Sequence, residues 1–123
     1  MSLPVIKNKA GDTETILVTV YEPDGTTPTN LTGARVKWCL VPVAASAAAE
    51  LGPRLLERDS DSGGVTFPVA GKFQVNLAKG ATGTVRAVQP NGQFLHEAEV
   101  TLASGQSFTG QAPFTVGPAA NPD

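Results

Sequence analysis

The chain has 123 residues, 41% hydrophobic and 16% charged, with nine basic against eleven acidic side chains and a formal net charge of −2. One domain of this length buries about two-thirds of its extended-chain surface, enough for a core without staples, and the hydrophobic content excludes an intrinsically disordered chain. The charge balance excludes a basic nucleic-acid surface, while thirteen Gly and ten Pro spread along the chain exclude long helices.

The first element is a strand over residues 15–21. Ile16, Val18 and Val20 share one face, and Thr15, Leu17, Thr19 and Tyr21 share the other, which is the period of a half-buried strand. Glu22, Pro23, Asp24 and Gly25 close it with turn chemistry. After a polar link, residues 34–41 predict a second strand with Val36, Trp38 and Leu40 on one face and Arg35, Lys37 and Cys39 on the other. Pro42, which has no N–H for a ladder, is expected to end it. The Ala-rich stretch 43–52 is too short for an independent helix and reads as a helical turn or mobile excursion on a loop.

Residues 54–59 read as a short strand with Leu55 and Leu56 facing opposite ways, and 60–64 as a loop. Gly71 opens a strand in which Phe73, Val75 and Leu77 alternate with Lys72, Gln74 and Asn76. Residues 82–88 fit either a short strand or a connecting turn. Asn91 and Gly92 give a hairpin-type turn signal, since both tolerate positive φ. Phe94, His96, Ala98, Val100 and Leu102 then form a stripe opposed by Leu95, Glu97, Glu99 and Thr101. Ser104 and Gly105 mark another turn, and a last strand runs near 112–116. The Pro-rich tail 118–123 has nothing local to order it.

About seven short strands, with turn signals roughly every 8–15 residues, predict an all-β protein. The expected fold is an antiparallel immunoglobulin-like β-sandwich without the disulfide, ahead of a small barrel or jelly roll. The sandwich is expected over residues 9–117, after an N-terminal segment 1–8. Its core candidates are Val18, Val20, Val36, Trp38, Leu40, Phe73, Val75, Leu77, Phe94, Val100 and Phe114.

Chemistry-bearing residues are scarce. A single Cys39 excludes an internal disulfide and a multi-cysteine zinc site, and a single His96 excludes His-pair metal motifs. No cofactor or metal is expected, and no catalytic residue is assigned. No apolar run approaches the length of a membrane span, and the first residues lack the apolar stretch of a signal peptide. A soluble domain made in a reducing compartment is therefore expected.

His96 lies on the apolar stripe, with Glu97 and Glu99 alternating to the opposite face and no GxSxG element in the chain. A half-buried or interface histidine outweighs a catalytic one. Cys39 has Lys37 two residues away on its own face, which allows weak activation of the thiol, but a packed or surface cysteine is the stronger reading. Asp59 and Asp61, flanked by Ser60, Ser62, Gly63 and Gly64, look like a fragment of a calcium loop without its closing glutamate, so a solvated loop is favoured. Asp12, Glu14, Glu22 and Asp24 read as turn and strand-edge residues. Gly63, Gly64 and Gly71 lack nucleotide-cradle spacing. Tyr21 is the one aromatic placed for a sugar-binding surface.

The order of short phrases is informative as a whole. Lys9-Ala10-Gly11-Asp12-Thr13 precedes the first strand, and Asn30-Leu31-Thr32-Gly33-Ala34 leads into Val36-Lys37-Trp38. Gly63-Gly64-Val65, Gly71-Lys72-Phe73, Gly92-Gln93-Phe94-Leu95-His96-Glu97 and Pro113-Phe114-Thr115-Val116 follow. Over residues 9–117 this arrangement resembles small β-sandwich proteins of tailed bacteriophages and prophages, including N-terminal modules of baseplate and fibre-associated proteins. The Ala-rich 44–52 segment departs from the pattern.

The resemblance implies a non-enzymatic virion structural role, as an adaptor or decoration module in a tail, baseplate or capsid. It implies other virion proteins and copies of the chain itself as partners, a homo-oligomer or larger assembly, and the host bacterial cytoplasm as the place of assembly. Neither nucleic acid nor membrane is an expected partner. The alternative is a carbohydrate- or host-surface-binding module on the same fold; an enzyme has the least support.

Overall fold

The computed structural model describes residues 3–43, 54–88 and 91–118. Its elements are β1 (Ile6–Lys9), β2 (Glu14–Thr19), β3 (Arg35–Pro42), β4 (Leu56–Asp59), β5 (Val65–Thr66), β6 (Lys72–Leu77), α1 (Ala81–Val88), β7 (Gln93–Thr101) and β8 (Ser107–Gly117). One sheet has the order β1-β8-β7-β3-β4 and the other β2-β6-β5. All pairings are antiparallel except β1 with β8. The runs β4-β3-β7-β8 and β2-β6-β5 reproduce the C′-C-F-G and B-E-D orders of an immunoglobulin-like sandwich, with a buried Trp on the C-equivalent strand.

The sequence alternation sets which faces meet. Ile16, Val18 and Val20 from β2 and its extension, and Phe73, Val75 and Leu77 from β6, line the inner face of the small sheet. Val36, Trp38 and Leu40 from β3, Phe94, Ala98 and Val100 from β7, and Phe114 and Val116 from β8 line the other. Every core candidate named from sequence is among these buried side chains. A one-residue slip in any of these strands would turn the whole set to solvent, so burial fixes the register.

Several elements differ from the sequence expectation. β3 runs one residue past Val41, where Pro42 was expected to stop it: Pro42 is its last residue and pairs with Phe94, and the Val43 N–H donates to the Gln93 carbonyl at 3.1 Å. Even-numbered β3 residues turn their backbone groups toward β4, as Val36 does in accepting from Ser60 N–H, and the β4 pairing stops at Leu40. The missing N–H of Pro42 therefore falls on the side where the described ladder has already ended.

Residues 82–88 are neither strand nor simple turn but the body of α1, which carries the chain from β6 to β7, between the two sheets. Thr82 and Val85, three residues apart, bury the same side of the helix. The Thr82 hydroxyl accepts from the Gly11 N–H at 3.1 Å, tying the helix to the β1–β2 turn.

Asn91 and Gly92 do not form a hairpin turn, because α1 rather than a strand precedes them. Only Gly92 has positive φ (+70°), and its carbonyl accepts from Val116 N–H. The β7–β8 hairpin instead turns at Ser104 and Gly105, with Leu102 N–H donating to Gln106 O at 2.8 Å. The last strand begins at Ser107, well before residue 112. Three of the four residues of β1 fall in the segment 1–8 expected to precede the sandwich, and two-residue β5 was not signalled at all. The Ala-rich 44–52 stretch and the tail beyond Pro118 lie outside the described residues.

Two glycines separate conformational strain from collision. Gly105 has φ +92° with open space around an added Cβ, whereas a Cβ at Gly92 would strike the Val116 carbonyl and the Arg86 guanidinium. Gly105→Ala is expected to cost about 1–2 kcal/mol from backbone strain alone. Gly92→Ala adds the displacement of a β8 carbonyl and should cost about 3 kcal/mol or more. Urea midpoints of the two variants against the parent measure the difference.

Candidate functional site

The two rarest side chains meet opposite fates. His96, on the inward face of β7, is fully buried. Its Nδ1 accepts the indole Nε1–H of Trp38 at 3.0 Å. That fixes the neutral tautomer with the proton on Nε2, which donates to the Pro4 carbonyl at 2.8 Å. The ring stands edge-on to Phe114, with centroids 5.6 Å apart, and to Trp38 at 6.1 Å. Both nitrogens are thus committed to protein partners, neither aimed at solvent. The expected half-buried or interface histidine is instead a core residue, because Pro4 folds over it from the N-terminal side.

Burial pushes the His96 pKa below its ordinary value of 6.5, against the opposing effect of the Pro4 hydrogen bond. A second proton would also have to land on Nδ1, where it would displace the Trp38 donor.

Cys39 points outward from β3 and is half-buried between Glu57 of β4 and Glu97 of β7, its cross-strand partners. Burial raises its thiol pKa; Arg54 works against this, and Glu97 and Glu57 add to it. Lys37 plays no part in that balance, so the weak activation allowed from sequence is corrected: the thiol holds its proton more tightly than usual.

The surrounding outer face is a groove of about 450 Å³ across β4, β3 and β7. Lys37 stands between Asp59 and Glu99, and Arg54 reaches Glu57 at 3.1 Å. Gln111 donates to Glu97 at 2.5 Å. Charges of both signs are interleaved across the strands, which is the make-up of a solvated polar face. Among the described residues, no group of three or more His, Cys, Asp or Glu side chains is placed to hold a metal ion.

The acidic loop is internally satisfied. The Asp59 carboxylate accepts the Ser62 N–H at 2.6 Å and the Ser62 hydroxyl at 2.7 Å, bonds that lower its pKa. Asp61 lies 3.6 Å from Arg35 in an exposed pair. Asp24 accepts from the N–H groups of Thr26 and Thr27 and from the Thr27 hydroxyl, which bring its pKa down to about 2. Asp24 is therefore a turn-closing residue, not half of a carboxylate dyad. Glu14 accepts from the Asn8 amide at 3.3 Å, across the seam between β1 and β2.

What sequence reasoning passed over is a backbone feature. Four strands form the outer edges of the two sheets: β1 and β4 in one, β2 and β5 in the other. Natural sheets blunt their edges by shortness or charge. β1 carries Lys7 and Lys9, β4 carries Glu57, Arg58 and Asp59, and β5 is two residues long. β2 carries a single charge, Glu14 at its first residue; the following stretch 15–21 contains no charge, no proline and no glycine. Leu17 and Tyr21 stand about half exposed on the outer side, at 48% and 50%. The lack of charge was readable in the sequence; that β2 is an edge required the topology.

No family model matches the chain, and no curated protein matches it. Among solved structures, the first Ig domain of the mouse polymeric immunoglobulin receptor is similar at 20% identity and a TM-score of 0.41. That match covers 95% of this chain and 92% of the other. The fold assignment rests on the strand order itself.

The His96 pair yields a pH prediction. With the folded-state pKa below the unfolded 6.5, stability is fully present above about pH 6.5 and falls as pH drops below it, because the unfolded chain takes up the proton first. Urea midpoints should therefore decline between pH 7.5 and 5. His96→Leu should flatten that slope while lowering stability by about 2–4 kcal/mol, since the Trp38 N–H and Pro4 carbonyl lose their partner.

Proposed function

We propose that this chain is a non-enzymatic structural protein of a tailed-phage or prophage virion. It serves as an adaptor or decoration module of tail, baseplate or capsid, is made in the host bacterial cytoplasm, and works through protein–protein assembly. The assembly part of this reading is carried by one observation: among the described residues, β2 is an edge whose stretch 15–19 carries no charge, where the other edges are short or charged. Such an edge offers a ladder of backbone donors and acceptors to a partner strand, the β-augmentation mode of recognition. The virion part rests on the ordered turn-and-strand phrases from Lys9 to Val116 and their resemblance to phage sandwich modules.

Two further features support work done by surfaces and not by a reaction centre. His96 spends both ring nitrogens inside the core, and the Cys39 thiol is held protonated by its surroundings. The acidic side chains of the groove are interleaved with Lys37, Arg54 and Arg58.

Particles induced from the chain's own host should carry it at constant stoichiometry through a density gradient, detectable by mass spectrometry of the banded fraction. Absence from the banded particles overturns the reading.

Tyr21, half exposed at the end of the same edge, favours a second reading: a carbohydrate- or host-surface-binding module. It expects a glycan-array signal that Tyr21→Ala abolishes, and a blank array removes it.

A further inference from the structure

We infer that the partner strand for β2 is β2 of a second copy, paired antiparallel about a twofold axis at Leu17. This rests on the assembly reading above and names its partner. The backbone direction fixes which residues take part. Val20 N–H donates inward to Gly71 O, so even-numbered residues of this strand turn their backbone groups toward β6. Thr15, Leu17 and Thr19 consequently direct theirs to the open edge. Among the described residues no strand covers that edge. The segment 27–29 that returns beside Tyr21 lies on the β6 side, where Thr29 N–H reaches Val20 O at 2.7 Å.

The occupant follows from the sequence of the edge itself. An isologous contact demands a strand that complements its own reversal. Residues 15–19 read Thr, Ile, Leu, Val, Thr, the same chemistry in either direction. With the axis at Leu17, Thr15 faces Thr19 of the second copy and Leu17 faces its own equivalent, all on the outer side. Ile16 faces Val18 on the inner side and extends the core across the junction.

The residues with outward backbone groups are the ones this register places opposite each other, so each pair exchanges both hydrogen bonds. Charge also fits. Glu14 is set against Val20 of the second copy, and no like charges meet. Two of the other edges do not offer this: copies joined through β1 would bring Lys7 and Lys9 onto lysines, and β5 is too short. The product is one six-stranded sheet with order β5-β6-β2-β2-β6-β5.

Sedimentation equilibrium of the full chain over a wide concentration range tests this. The parent should fit a monomer–dimer equilibrium. Leu17→Lys and Leu17→Glu each put like charges on the axis and should weaken the dimer by about tenfold or more. An equimolar mixture of the two variants should restore dimers, as heterodimers joined by opposite charges. Thr19→Pro, which removes an outward N–H and leaves the β6 ladder intact, should also weaken pairing. Far-UV circular dichroism and thermal melts confirm that each variant is folded; if one Leu17 variant fails to fold, Thr19→Pro and the other decide.

A parent that stays monomeric, or variants that dimerise unchanged, overturns the inference. A monomer that still bands with virions overturns self-pairing and leaves the assembly reading standing. A β2-dependent dimer absent from virions supports the pairing and overturns the virion reading.

Discussion

The hydrogen-bonded line from Trp38 through His96 to Pro4 is the constraint on which the arrangement of this sandwich turns. It runs through the core from β3, across β7, to the segment ahead of β1. Apolar contacts are non-directional and tolerate several packings, but a buried polar pair is acceptable only in the geometry that satisfies both partners. Here the tautomer, the indole orientation and the Pro4 carbonyl are fixed together. Trp38 pairs directly with Ala98, which leaves room for the indole to reach His96 on the diagonal. The single cysteine excludes the inter-sheet disulfide that some immunoglobulin domains set against this tryptophan.

The same line has a consequence for the surface. By holding Pro4 against β7, it commits the N-terminal segment to the five-stranded sheet, where Ile6–Lys9 runs parallel to β8. The segment is then not available to run beside β2, so the wider sheet gains a strand and the narrower one keeps an open edge. The Pro4 hydrogen bond and the β1–β8 ladder act together, and the open edge of β2 is the counterpart of that placement.

The two outer faces are correspondingly different. That of the five-stranded sheet interleaves opposite charges around Lys37, Arg54, Glu57 and Glu97, with Arg54 paired to Glu57 and Glu97 accepting from Gln111. That of the three-stranded sheet shows Thr15, Leu17, Thr19 and Gln74, with Lys72 its one charge along β2 and β6. A face of interleaved charges is well solvated as it stands, whereas the uncharged stretch 15–19, with backbone donors and acceptors at an open edge, is stabilised by another strand.

The sequence by itself determined the parts governed by neighbours one and two residues away. Alternation located β2, β3, β6 and β7, the inward set from Val18 to Phe114, and the Asp24 turn, because strand period and Asx chemistry are local. Short or borrowed structure was not legible. An eight-residue helix burying only Thr82 and Val85 has too few turns to show its period, and two-residue β5 has none. β1 exists because β8, over a hundred residues later, supplies its ladder.

Only the tertiary structure decided that the missing N–H of Pro42 falls past the end of the described β3–β4 ladder, that His96 is sealed by Pro4, and that β2 is an edge. Each depends on what lies beside a residue in space, and no local pattern encodes that. The scarcity of charge and of reactive side chains was visible from composition; that the uncharged stretch falls on the one long unblunted edge came from the topology.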